Sequence, residues 1–150
     1  MINIQTPRCG SVTVHLTLRA RCPRRLHRHL WMAALWAAQC DVSLKHGAIC
    51  HAATALPDRV IAVWTLPQQH LRPDFGQFEG DFAASIHASD NIGDIERIAL
   101  KLRPIRHKSH ILRYVDDCHF APVRYGWAKT PDDWPLSTFD KARSSEMILS

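Results

Sequence analysis

Arginine is the side chain in this sequence whose number and placement point most directly to a chemistry. Of the nineteen Lys and Arg residues, fourteen are Arg, and most of these lie in two blocks without Asp or Glu, residues 1–40 and 97–115. A guanidinium binds phosphate through two hydrogen bonds and stacks on nucleobases. If the two blocks meet in the fold they form a nucleic-acid surface, whereas dispersed arginines would serve only solubility. The predicted phosphate-binding residues of these blocks are Arg19, Arg21, Arg24, Arg25, Lys101, Arg103, Arg106 and Lys108.

The sequence contains few combinations of residues that could hold a metal ion. His107 and His110 are three positions apart and Asp117 lies two helical turns further on, so a metal site is conceivable; solvent-facing histidines at a helix start are the simpler interpretation. His27 and His29 lie on a predicted helix, where residues two positions apart point in different directions. The five cysteines form no C-x-x-C pair, so reduced cysteines are expected rather than a zinc site.

The periodicity of apolar residues predicts the elements that position these side chains. Alternation with β-branched residues predicts strands, and apolar residues at three- and four-residue steps predict helices, the first of which ends at Gly47. The resulting order β-α-β-β-α-β-α predicts an α+β fold, a ferredoxin-like β-α-β-β-α-β sandwich with a further C-terminal helix and an irregular tail. The predicted strands are 12–18, 48–55, 60–66 and 95–102, and the predicted helices are 24–45, 73–89 and 109–120.

A length of 150 residues suits one domain. We expect an N-terminal arm at 1–11, a ferredoxin-fold domain at 12–126 and an irregular tail at 127–150. The longest apolar run, residues 30–38, is too short for a membrane span, which needs about 20 residues. The first thirty residues show no secretory pattern. A cytoplasmic protein without a membrane partner is therefore expected.

Two stretches carry a specific resemblance to a known family. Residues 56–67 read Leu-Pro-Asp-Arg-Val-Ile-Ala-Val-Trp-Thr-Leu-Pro. Residues 114–127 read Tyr-Val-Asp-Asp-Cys-His-Phe-Ala-Pro-Val-Arg-Tyr-Gly-Trp and are followed by Asp-Trp-Pro-Leu-Ser-Thr-Phe at residues 133–139. Together they resemble the REP-associated tyrosine transposases, a branch of the HUH single-strand DNA transposases, whose members carry Leu-Pro-Asp-His-x-His-x-x-Trp-Thr-Leu-Pro and Tyr-Ile-x-x-Asn-Pro-Val-Lys-x-Gly. The resemblance extends over roughly residues 12–140.

The resemblance implies a definite chemistry, and this sequence departs from it at the reacting positions. In the family, two histidines on one strand hold Mg²⁺ or Mn²⁺, and a tyrosine attacks a DNA phosphate to form a covalent phosphotyrosine. Here Arg59 and Ile61 occupy the histidine positions, and Asp117 occupies the tyrosine position. Arg stays protonated and Ile has no donor atom, so no metal cofactor is expected. Tyr114 is a doubtful substitute because it lies about 4.5 Å away along the helix axis.

The resemblance therefore implies a DNA-binding protein related to DNA transposition enzymes, with single-stranded or hairpin DNA as its partner and without strand cleavage. Arg59 joins the predicted DNA-binding residues, because its charge stands where a metal would neutralise phosphate. Two alternatives stay open. One is an active DNA transposase or nuclease with a rearranged site that uses Tyr114 or Asp117. The other is a folded remnant that binds no DNA, or that contacts proteins through the acidic helix at 73–89.

Overall fold

The fold is an antiparallel four-stranded sheet with strand order β2-β3-β1-β4. The computed structural model describes residues 12–20, 28–67, 75–87 and 98–139. The order of elements and the ferredoxin-like α+β arrangement confirm the prediction. The elements are β1 (Val12–Ala20), α1 (Arg28–Lys45), β2 (Ile49–Leu56), β3 (Arg59–Leu66), α2 (Phe75–His87), β4 (Ile98–Ile105) and α3 (Lys108–Arg124), followed by a 3-10 turn at Pro131–Asp133.

The two faces of the sheet are covered by different helices. Because side chains alternate along a strand, Leu16 and Leu18 of β1 enter a core with α1 and α2, whereas His15 and Thr17 point to the opposite face. That opposite face packs on α3 and is called the α3 face below. β3 is buried on both sides, which explains its nearly continuous apolar sequence. The core against α3 consists of Ala52, Leu56, Ile61, Val63, Ile105, Ile111, Val115, Cys118 and Ala121.

The helix α1 ends at Lys45, just before Gly47, where the sequence predicted that it would stop. Gly47 has a φ of 65°, in the left-handed region where a side chain is strained. Its amide donates to the carbonyl of Leu44, and the Ala48 amide donates to the carbonyl of Ser43. These bonds satisfy carbonyls that the last turn would otherwise leave open. The helix therefore stops here and the chain turns directly into β2.

The end of α3 differs from the prediction. The helix was expected to stop near residue 120, but it continues through Pro122 to Arg124. A proline has no amide hydrogen to donate to the carbonyl four residues earlier, which here belongs to Cys118. The hydroxyl of Thr54 on β2 donates to that carbonyl at 3.0 Å instead. A distant residue therefore makes the proline tolerable, and residues 121–124 extend the helix.

Residues 134–138 follow the outer edge of β2. The amide of Ala55 donates to the carbonyl of Leu136 at 2.9 Å, and the amide of Thr138 donates to the carbonyl of Ala53 at 3.0 Å. Trp134 adds a bond from its indole nitrogen to the carbonyl of Ala55 at 2.7 Å and packs against both cores. This part of the predicted tail thus covers an edge that would otherwise present unpaired backbone groups.

A buried histidine joins the end of α1 to α2. The ring nitrogen Nε2 of His46 lies 2.6 Å from a carboxylate oxygen of Asp81, and the Nζ of Lys45 donates to the other oxygen at 2.9 Å. The His46 side chain is 4% exposed and its ring contacts Phe78. Partial burial of Asp81 opposes ionisation, but the two hydrogen bonds outweigh it and lower the pKa of its carboxyl. The ionised carboxyl is therefore the stabilising form.

We expect Asp81→Asn to lower the free energy of unfolding by about 1–2 kcal/mol at neutral pH, because the buried His46 ring loses its ionised partner. The folded pKa of Asp81 is below its ordinary value of 3.8, so this stabilisation is complete above that value and is lost as the pH falls through the folded pKa. Urea unfolding curves of the two proteins should converge in acid. The control is Glu79→Gln, which removes an exposed carboxylate from α2 with little effect. Equal stability of Asp81→Asn and wild type at pH 7 would contradict the expectation.

Several sequence predictions lie outside the described residues. They are the arm at 1–11, the predicted phosphate ligands Arg21, Arg24 and Arg25, and the tail beyond 139. Within the described part of the chain, no helix combines the length and the apolar character that crossing a membrane requires.

Candidate nucleic-acid interface

The half of the α3 face that belongs to β1 and β4 carries exposed basic side chains. β1 and β4 pair so that Thr17 lies opposite Lys101 and His15 lies opposite Arg103. Directly opposed residues of antiparallel strands project to the same face. Lys101 and Arg103 therefore lie beside Arg19 on the α3 face, and all three are exposed. We call these three residues the basic strip.

The helix α3 forms one wall of the basic strip. It packs mainly over β2 and β3, and its residue Tyr114 contacts His15 with a distance of 4.9 Å between ring centroids. Burial, followed by the positive charge of Arg103, lowers the pKa of His15, although the nearby Asp117 carboxylate opposes this. His15 is therefore neutral at pH 7, and the positive charge of this surface comes from Lys and Arg side chains.

Arg59 lies at the end of this surface, directly across from Arg19 on the neighbouring strand. Its Nε and Nη2 donate to the two carboxylate oxygens of Asp58 at 3.1 and 2.9 Å. Its Cζ lies 4.3 Å from the ring centroid of Tyr125, so the guanidinium covers the aromatic ring. The hydrogen bonds from Arg59, opposed by burial and helped by the charge of Arg19, lower the pKa of Asp58. The Arg59 guanidinium is thus held on two sides.

Ile61 and Asp117 are the other two positions at which the sequence departs from the family pattern, and their surroundings differ from those of Arg59. Ile61 is 8% exposed in the core against α3, and its carbonyl accepts a hydrogen bond from the Sγ of Cys118 at 3.3 Å. Burial raises the pKa of that thiol to about 12, so it is not a nucleophile. The carboxylate of Asp117 accepts a hydrogen bond from Nη2 of Arg124 at 2.9 Å. These positions therefore hold a packed aliphatic side chain and a paired carboxylate.

Comparison with known proteins agrees with the motifs. No protein-family model matches the chain. The chain is 28% identical over 86 residues to the REP-associated tyrosine transposase of Escherichia coli (strain K12), and the match covers 57% of this chain and 51% of that protein. The chain thus spans about half the length of the curated relative that it matches. A solved structure described as a REP-associated tyrosine transposase bound to a REP hairpin has the same fold, with a TM-score of 0.69 and 24% identity over 94% of this chain and 84% of that one.

The chain is similar to the REP-associated tyrosine transposases.

The residues at the family's metal positions do not fit a divalent cation. The guanidinium of Arg59 has no lone pair to donate and is already bonded to Asp58, and Ile61 has no donor atom. Among the described residues, no group of three or more His, Cys, Asp and Glu side chains could hold a metal ion. His107, His110 and Asp117 therefore do not come together as a metal site, and the interpretation as histidines at a helix start holds. The two histidine rings contact each other at 5.2 Å between centroids, at the exposed start of α3.

The remaining predicted phosphate ligands lie at the other end of the strip. Arg106 follows β4, Lys108 is the first residue of α3, and both are exposed. They line a cavity of about 370 Å³ together with Thr13 and Ile111. The seven residues of β4 from Ala99 to Ile105 span about 20 Å. The structure therefore brings five of the predicted basic residues along one side of the transposase-like domain, with Arg59 at its end.

Sequence reasoning missed two residues of this surface. His15 occupies the centre of β1 on the α3 face, and its alternation with Leu16 was the available signal. Tyr125 precedes Gly126 in the Pro-Val-x-x-Gly segment of this chain. Its contact with Arg59 could be predicted only by knowing that the end of α3 lies beside the start of β3. In this chain, both residues belong to the surface next to the motif positions.

Proposed function

We propose that the chain binds DNA containing a single-stranded or hairpin element through the basic strip, and that it does not cleave the strand. The observation that carries this proposal is the alignment of Arg19, Lys101 and Arg103 on the half of the sheet that α3 leaves open. A relative named as a transposase, and a shared fold with a protein described as bound to a REP hairpin, support DNA as the partner.

The electrostatics of the strip suit a phosphate backbone. Among the described residues, the carboxylates that form ion pairs do so with Lys45, His46, Arg59 and Arg124, and with none of the three strip residues. Exposed cations that form no ion pair attract a polyanion and release its counterions when it binds. The strip is therefore available for phosphate contacts in a way that the guanidinium of Arg59 is not.

Absence of strand cleavage is proposed from the chemistry of three positions. Arg59 supplies fixed positive charge but cannot act as a metal-bound Lewis acid, and Ile61 supplies neither charge nor a ligand atom. Asp117 places a carboxylate in an ion pair where the family has its tyrosine. A carboxylate beside the DNA backbone repels phosphate, so this position works against attack on phosphorus.

The test is fluorescence anisotropy with a labelled single-stranded hairpin that carries an unpaired flank, with an unstructured strand of equal length as the control. We expect saturable binding that prefers the hairpin and weakens as salt is raised. The same DNA incubated with Mg²⁺ or Mn²⁺ should remain intact on a denaturing gel. Lack of salt-sensitive binding near physiological ionic strength would overturn the DNA-binding proposal and favour a folded remnant.

A rearranged active site is the second candidate, because Tyr114 contacts His15 beside the basic strip. In such a site the tyrosine would pass its proton to the ring and form a bond from its oxygen to phosphorus, while the bond from phosphorus to the departing sugar oxygen breaks. This candidate requires cleavage that is lost in Tyr114→Phe and Asp117→Asn variants. Intact DNA with every metal tested, or cleavage that both variants retain, would exclude it.

A further inference from the structure

The aromatic ring at the end of the basic strip has no part in the function proposed above. Tyr125 follows α3 directly and is 46% exposed, so much of its ring is open to solvent. We propose that Tyr125 is a stacking platform for one unpaired nucleobase of the bound DNA. This inference rests on the proposed function, because the basic strip must first bring the strand to this position.

The ring is held in place by a fixed cation. The guanidinium of Arg59 lies over it at 4.3 Å from Cζ to the ring centroid, and Asp58 holds that guanidinium through two hydrogen bonds. The Arg59 side chain is 16% exposed, so little of it is free to move away. A platform that is ordered before binding loses less conformational entropy when a ligand stacks on it. Arg59 is thus a positioning residue for Tyr125.

Positive charge lies where the phosphates of a stacked nucleotide would pass. Arg19 is the cross-strand neighbour of Arg59, is exposed, and is close enough to Asp58 to help lower the pKa of its carboxyl. From Arg19 the strip continues to Lys101 and Arg103. An exposed aromatic ring at the end of a cationic track is the arrangement by which proteins bind single strands.

The geometry favours an unpaired base over a base pair within a duplex. In a duplex both faces of each base are covered by its neighbours, so an isolated ring can stack only on a base that is unpaired or terminal. Hydrogen bonding to a particular base edge is not needed, because every base has a flat face. The platform therefore distinguishes a hairpin with an unpaired flank from a blunt hairpin, without selecting the sequence.

The experiment compares two labelled hairpins, one blunt and one with a four-nucleotide unpaired flank, against four proteins. Tyr125→Leu should weaken binding of the flanked hairpin about 5- to 100-fold and change binding of the blunt hairpin less than about twofold. Tyr125→Phe keeps the ring and should bind like wild type. Phe120→Leu is the matched control, because Phe120 is 47% exposed on α3, the helix that Tyr125 follows, but contacts Phe139 instead of Arg59.

A second measurement does not depend on any variant. With 2-aminopurine placed at successive positions of the flank, wild-type protein should quench the fluorescence of one position through stacking. Absence of quenching at every position, or an equal loss of both hairpins with Tyr125→Leu, would overturn the platform. If wild type bound neither hairpin, the proposed function itself would fail. Binding of both hairpins with no effect of Tyr125→Leu would leave the proposed function standing and remove only this inference.

Discussion

Trp64→Ala is expected to remove a large part of the stability of the domain. Trp64 is fully buried on β3, its ring stacks on Phe82 of α2 at 5.9 Å between centroids, and its indole nitrogen donates to Oε1 of Gln39 on α1 at 3.0 Å. The variant loses the apolar contacts of the ring and leaves a cavity, which together cost about 3–5 kcal/mol. It also leaves the carbonyl oxygen of the buried Gln39 without this donor.

Small domains have total stabilities of about 5–15 kcal/mol, so the Trp64→Ala variant should unfold at a much lower urea concentration than wild type. Urea unfolding followed by far-UV circular dichroism measures the change, because fluorescence would lose one of its reporters. Trp64→Phe should be intermediate, since it keeps an aromatic ring but loses the indole donor. The matched control is Trp127→Ala, which truncates a tryptophan that is 41% exposed and should cost less than about 1 kcal/mol. Equal unfolding midpoints for the two alanine variants would show that the core does not depend on Trp64.

Removal of two charges from the basic strip should produce the largest change in DNA affinity. The double variant Lys101→Gln and Arg103→Gln keeps long polar side chains on the exposed edge of β4 but loses both cations. Each phosphate contact to a single strand contributes about 0.7 to the slope of log affinity against log salt. Loss of two contacts should reduce that slope by about 1.4 and weaken binding about 25-fold at 0.1 M salt.

The control for this variant removes the same total charge elsewhere. Lys45 lies at the end of α1, on the opposite side of the sheet, and Lys129 is exposed after α3. Lys45→Gln combined with Lys129→Gln should leave both the affinity and the salt slope close to wild type. The exposed ion pair of Lys45 is of little consequence for stability, so the control should stay folded. Equal weakening by the two double variants would mean that net charge, and not the basic strip, determines binding.

The sequence predicted the fold well because the patterns that determine it are local. Alternation in β1 and the three- to four-residue periodicity of α1 place apolar side chains on one face without reference to any other element. The end of α3 could not be read in this way. Continuation through Pro122 depends on the hydroxyl of Thr54, which lies 64 residues from the carbonyl that it satisfies. A proline near the predicted end of a helix therefore indicated a stop that tertiary contacts overrode.

The site was predicted in its charges but not in its contacts. Clusters of basic residues can be read directly from the sequence. The pairing of β1 with β4 brings Arg19 together with Lys101 and Arg103. The partners of Arg59 were not visible. Its neighbour Asp58 is adjacent in sequence, but Tyr125 approaches only because α3 crosses β3. The role of Arg59 therefore changed from a free phosphate ligand to a guanidinium already engaged on two sides.

The pairing of residues 134–138 with β2 has a consequence for the chain as it is made. Thr138 bonds to the backbone of Ala53, 85 residues earlier, so the ribosome releases β2 long before the segment that covers its edge. During that interval a nascent chain exposes strand edges to neighbouring polypeptides, a state that favours aggregation. During synthesis the edge of β2 is therefore open to aggregation until the segment around Thr138 has left the exit tunnel.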